Sequence, residues 1–125
     1  MKGLSIMNII NLTQHNATES QIKDGVFEPT DKSAVKNLLT FNTIPSKEEM
    51  QKRAEALAKI ASESKAEFAM VGGASYFIPV LEKALNKAGV KPIHSFTERK
   101  SIDKTLENGE VQKVSIFEHI GWVGL

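Results

Sequence analysis

The chain contains no cysteine. That excludes disulfides, a thiol nucleophile and any cysteine-ligated metal. Its three histidines, His15, His94 and His119, are too far apart in sequence to form a close-spaced ligand pair, so no metal centre is expected. Neither sign of charge is in excess. A net charge of +1 argues against a broad basic surface, and so against duplex nucleic acid as a partner. No apolar run approaches the about 20 residues of a membrane span. The N-terminus lacks the charged-then-apolar pattern of a signal peptide, so a cytoplasmic location is expected. Named phosphate loops are missing too: there is no G-x-G-x-x-G and no Walker lysine. There is no G-x-S-x-G elbow. Paired carboxylates for metal-dependent hydrolysis are also missing, since Asp24, Asp31 and Asp103 are read as a helix end, a cap and an edge strand.

What is present is the composition of an ordinary globular protein. At 125 residues, 41% hydrophobic and 25% charged, the chain is read as one domain over 1–125. An excellent strand sequence follows Met7, and residues 1–6 add little to it. Met7 is therefore expected to be the natural start, with 1–6 an extension.

Ile6 to Leu12 reads as the first strand, with β-branched residues at 6, 9 and 10. Thr18 or Asn16 can cap a short helix running through Ile22, which Gly25 ends. Val26 to Pro29 is a short extended piece. Thr30 or Asp31 starts a second helix, with Ala34, Val35, Leu38 and Leu39 on one stripe. Ser46-Lys47-Glu48-Glu49 reads as a capping box opening a helix to about Ser64. Phe68-Ala69-Met70-Val71 has the look of a buried parallel strand. It runs into Gly72-Gly73-Ala74-Ser75 and then a helix that begins between Ser75 and Ile78, because Pro79 cannot donate in a helix interior. Val90 to Phe96 is the next strand. Ile102 to Leu106 and Val111 to Phe117, joined through Asn108-Gly109, read as a β-hairpin, followed by a final extended segment. Strands alternating with helices argue for a parallel sheet covered on its faces. The expected fold is therefore a small Rossmann-like three-layer α/β sandwich with an antiparallel hairpin at its C-terminal end.

In open α/β sheets ligands bind outside the carboxyl ends of the strands. Three such ends are polar here: Thr13-Gln14-His15, Gly72-Gly73-Ala74-Ser75, and Thr97-Glu98-Arg99-Lys100. Parallel pairing would bring them to one edge. Backbone N–H groups at the glycine turn would hold an anion, most simply a phosphate, aided by Thr13, Gln14, Ser75 and Thr97. Arg99 or Lys100 would neutralise it. His15 is read as a general base or acid, or as a helix cap. Each feature also has a plain reading: a tight turn without ligand, a solvated start to an edge strand for Arg99 and Lys100, and packed residues for His94 and His119.

The stretch from Ile9 to Gln21 resembles the start of small CRISPR-associated proteins related to the CARF nucleotide sensors. In those, a first strand runs into a polar turn patterned on S-H-x-x-T-x-x-Q. The Met70-Val71-Gly72-Gly73 segment and the closing hairpin resemble an uncharacterised bacterial and phage family of the same size. The CARF resemblance implies a homodimer that binds a cyclic oligoadenylate messenger in antiviral defence. It also implies either sequestration of that ligand or its cleavage as a metal-independent ring nuclease; the reading of the residues themselves supplies His15 and Arg99 as the catalytic pair for such a step, with no cofactor. Two other readings stand beside it. One is a non-enzymatic dimeric interaction protein using its sheet edge, hairpin and Trp122. The other is an enzyme acting on a small phosphorylated metabolite at the same edge.

Overall fold

The computed structural model describes residues 7–125, and the expectations for 1–6 and for Ile6 in the first strand lie outside that range. In chain order the elements are β1 (Ile9–Leu12), α1 (Glu19–Lys23), β2 (Val26–Phe27), α2 (Lys32–Leu39), α3 (Lys47–Glu63), β3 (Phe68–Val71), α4 (Ile78–Lys87), β4 (Lys91–Thr105) and β5 (Val111–Val123). The strands form one sheet in the order β2-β1-β3-β4-β5. The first four are parallel; β5 returns antiparallel to β4. This is the expected Rossmann-like α/β architecture.

Alternation along the short central strands divides the core into two layers. Ile10, Leu12, Ala69 and Val71 face α2, α3 and α4, and meet Val35, Leu57, Ala61, Phe77 and Leu81. Ile9, Met70, Ile93 and Val26 face the other way, toward Ala17 and Trp122. Burying each large aliphatic side chain contributes about 1.5–3 kcal/mol, so the first layer holds the fold. The second is thin, its one helix being the five-residue α1.

Helix ends follow the sequence. Asp31 accepts from the Ala34 amide at the start of α2, and Ser46 accepts from the Glu49 amide at the start of α3. The reciprocal half of the expected capping box at Ser46 is absent. Glu49 turns instead to Arg53, one turn on, at 2.8 Å. A full capping box occurs at α1, where Thr18 accepts from the Gln21 amide and the Gln21 side chain accepts from the Thr18 amide.

The C-terminal third departs from expectation. The third strand does not stop at Phe96. A bulge between Phe96 and Thr97 shifts the register, and β4 then runs on to Thr105. The second strand of the expected hairpin and the final segment are likewise one strand, β5. The two strands form a long antiparallel ribbon whose outer part is exposed, with pairs such as Arg99 opposite Phe117 and Ile102 opposite Val114. Between 93 and 105 there is no glycine or proline to end the strand.

Candidate functional site

Asn11 sits mid-strand in β1 and is fully buried. A buried amide is tolerable only if every polar atom is bonded. Its oxygen accepts from the Thr13 amide at 3.0 Å and the Thr13 hydroxyl at 2.7 Å. Its nitrogen donates to the His15 carbonyl at 2.7 Å and to the Glu28 carboxylate at 3.1 Å. Glu28 also accepts from the Ala17 amide at 2.7 Å and pairs with Lys32 at 3.0 Å. Lys32 in turn donates to the carbonyls of Thr13 and His15. The loop after β1 is thus held by its own backbone groups, which sets the direction of Thr13, Gln14 and His15.

Burial pushes the Glu28 carboxyl up, but the Ala17 amide, the Lys32 ammonium and the Asn11 amide outweigh it and hold the group below its ordinary 4.5. A depressed carboxyl contributes stability above its unfolded value, and that contribution is lost as pH falls through the folded value. Wild type is therefore expected to lose stability faster than Glu28→Gln as pH drops below about 4.5. Urea unfolding at stepped pH checks this; parallel pH profiles would show that Glu28 is not coupled to folding.

A cleft of 370 Å³ opens at the carboxyl ends of β1 and β3 and beside β4. Thr13, Gln14, His15, Gly72 and Gly73 line it as the sequence predicts, together with Asn16, Thr18, Gln21, Met70, His94 and Ser95. No lysine or arginine is among its lining residues. Gly73 has φ +137°, a conformation that side-chain-bearing residues rarely adopt.

Five of the predicted residues lie elsewhere. Ala74 and Ser75 fall in the turn before α4, where the Ala74 carbonyl accepts from the Phe77 and Ile78 amides. The helix begins at Ile78, the far end of the expected range, which sets its N-terminus several residues beyond the glycine pair. Thr97, Arg99 and Lys100 are carried out along the ribbon by the continuation of β4. Arg99 donates to the Ser115 hydroxyl there. Lys100 contacts Glu118 at 2.6 Å, and that hydrogen bond raises the lysine above its ordinary value.

His94, read as a packed residue, is half-exposed and meets Glu82 of α4 at 2.7 Å. His119 is buried. Its Nδ1 lies 2.6 Å from the Ser95 hydroxyl and its Nε2 lies 2.9 Å from the Asp24 carboxylate. The Trp122 indole donates to the same carboxylate oxygen at 3.0 Å, and the half-buried ring packs on the second core layer. Nothing in the spacing of residues 24, 95 and 119 announces this grouping. Asn11 did leave a signal: an amide in the middle of an apolar strand.

A larger, shallower hollow of 570 Å³ lies between Phe41, Pro45, Met50 and Tyr76. Its polar groups are the Tyr76 phenol, the Asn42 amide and the Thr43 hydroxyl, and no titratable imidazole or carboxylate lines it. Among the described residues no three acidic or histidine side chains gather as a metal would require, and no helix is long and apolar enough to cross a membrane.

The chain matches the Uncharacterized protein MJ1673 family over residues 7–123. No curated protein and no solved structure matches it.

Proposed function

We propose, for a chain that belongs to the Uncharacterized protein MJ1673 family, that the cleft binds a nucleotide-type ligand and that the ligand is cleaved there at a phosphodiester. The observation that carries this reading is the convergence of Thr13, Gln14, His15, Gly72 and Gly73 on one cleft at the carboxyl ends of parallel strands. Hydroxyls, amides and imidazoles suit a sugar and base. With no lysine or arginine in the lining, a phosphodiester's single charge suits the cleft better than a terminal polyphosphate does.

At 370 Å³ the cleft is at the small end of ligand sites, which run from about 300 to 1,000 Å³. One unit of a cyclic oligoadenylate would fill it, and a ring would span the clefts of a two-fold dimer. Cleavage would proceed by in-line attack of a ribose 2′-hydroxyl on the neighbouring phosphorus, giving a 2′,3′-cyclic phosphate, with the 5′-oxygen departing opposite and taking a proton from water. The protein would supply orientation, and His15 would take the hydroxyl proton.

The test is a thermal shift with cyclic tetra-adenylate, followed by metal-free incubation. At a hundredfold excess over Kd the ligand should add about 2.7 kcal/mol of stability. His15→Ala should slow cleavage on the order of 100-fold, while Lys59→Ala on α3 should leave it unchanged. Absence of any shift with cyclic or linear nucleotides would overturn the reading.

A further inference from the structure

Behind the cleft, three side chains from distant parts of the chain stand in one line. Ser95 lines the cleft wall. His119 lies directly behind it with only 2% of its side chain exposed, and Asp24 stands behind His119. The contacts fix the order of the protons. An indole N–H can only donate, so Trp122 requires the Asp24 oxygen as acceptor. With the imidazole neutral, its Nε2–H donates to the same carboxylate, which leaves Nδ1 as an acceptor. The Ser95 hydroxyl therefore donates to Nδ1. On its other side, Gln21 Nε2 donates to the Ser95 oxygen at 3.2 Å. Gln21 is held in that orientation because its own oxygen accepts from the Thr18 amide at 3.0 Å. The result is a hydroxyl with a buried base at hydrogen-bond distance, the base oriented by a half-exposed carboxylate.

That is the arrangement by which a serine becomes a nucleophile. The ring is turned so that Nδ1 rather than Nε2 faces the hydroxyl, which leaves the proton logic the same. A purely structural network would tie α1 to the ribbon equally well. It would not need the hydroxyl end of the line to open on the cleft.

We propose that Ser95 is a nucleophile that attacks an electrophilic ester centre, acyl or phosphoryl, held in this cleft. Oγ forms a bond to the carbon or phosphorus, and its proton passes to His119 Nδ1. The imidazolium is stabilised by Asp24. Collapse breaks the bond to the leaving alkoxide, which takes that proton back from His119. Water then attacks the Ser95 ester, giving its proton to His119, which passes it to Ser95 Oγ as that bond breaks and the acid product leaves. Gly72 and Gly73, on the neighbouring strand end, line the same cleft, so backbone approaches the reacting centre closely. This chemistry goes beyond the nucleotide reading and does not depend on it: a ligand hydroxyl as nucleophile leaves no adduct on the protein, whereas Ser95 does.

The deciding experiment treats the whole chain with a small alkyl fluorophosphonate and follows intact mass and peptide mapping. Attack by Ser95 breaks the P–F bond, releases fluoride and leaves one phosphonyl group on the protein. The expected result is a single adduct mapping to Ser95, lost in Ser95→Ala and retained in Ser101→Ala on the exposed ribbon. His119→Gln should keep the fold by circular dichroism and label on the order of 100-fold more slowly. No adduct on wild type, an adduct on another serine, or equal labelling rates in wild type and His119→Gln would each overturn the proposal. Turnover of p-nitrophenyl acetate against bis(p-nitrophenyl) phosphate, each compared with Ser95→Ala, then sorts acyl from phosphoryl substrates. An adduct without any nucleotide-induced thermal shift would sustain Ser95 and remove the nucleotide reading; the converse would do the reverse.

Discussion

Asn11→Leu should destabilise the protein by about 3 kcal/mol, a fall in melting temperature on the order of 10 °C. Leucine has nearly the shape of asparagine, so the change leaves no large cavity. What it leaves is a set of orphaned partners. The Thr13 amide loses its acceptor, and the Glu28 carboxylate loses a donor in a site where burial already works against its charge. Stranding such groups costs about 1–3 kcal/mol each, partly offset by leucine's apolar surface. Urea unfolding should show a lower midpoint at an unchanged slope. A loss below about 1 kcal/mol would mean that the Lys32 bonds alone hold the loop. The variant should also blunt any ligand response at the cleft, because Thr13 and His15 owe their placement to this amide.

Phe77→Ala should cost about 3–5 kcal/mol, in the range for truncating a fully buried aromatic side chain. The effect extends beyond the cavity. The Phe77 ring meets Phe41 edge-on at 5.1 Å, and Phe41 carries the Arg53 guanidinium 4.5 Å above its face. Arg53 donates to the carbonyls of Asn37, Leu38 and Thr40 at the end of α2. Removing Phe77 therefore loosens the support of a helix end two contacts away. Phe77→Leu should cost under about 1.5 kcal/mol, and Phe77→Ala combined with Arg53→Ala should cost less than the sum of the two. Strict additivity would show that the two residues act separately.

Local rules were enough for much of the fold. The β-branched pair Ile9 and Ile10, the caps at Asp31 and Ser46, and the apolar run Phe68 to Val71 are written in near neighbours, and the structure follows them. The ribbon is not legible because the polar cluster at Thr97 to Ser101 looks like a strand end. In a two-stranded ribbon with both faces wet, polar residues carry no such meaning. The site divides in the same way. Thr13, Gln14, His15, Gly72 and Gly73 follow from topology alone, since strand ends on a parallel sheet share an edge. Ser95, His119 and Asp24 do not. Their meeting depends on the register of β5 against β4 and on the angle at which α1 crosses the sheet, neither of which leaves a mark in residue spacing.

Asp24 finds its donors 95 and 98 residues further along, at His119 and Trp122. A nascent chain emerging from the ribosome can assemble β1, β2, β3 and the helices on one face while Asp24 still has neither of these donors. The far face is closed last, by a strand that has not yet been made. Translation paused before codon 119 should thus yield an intermediate with its main core formed and Ser95 unactivated, so that chemical competence arrives as a late, all-at-once event rather than growing with the chain.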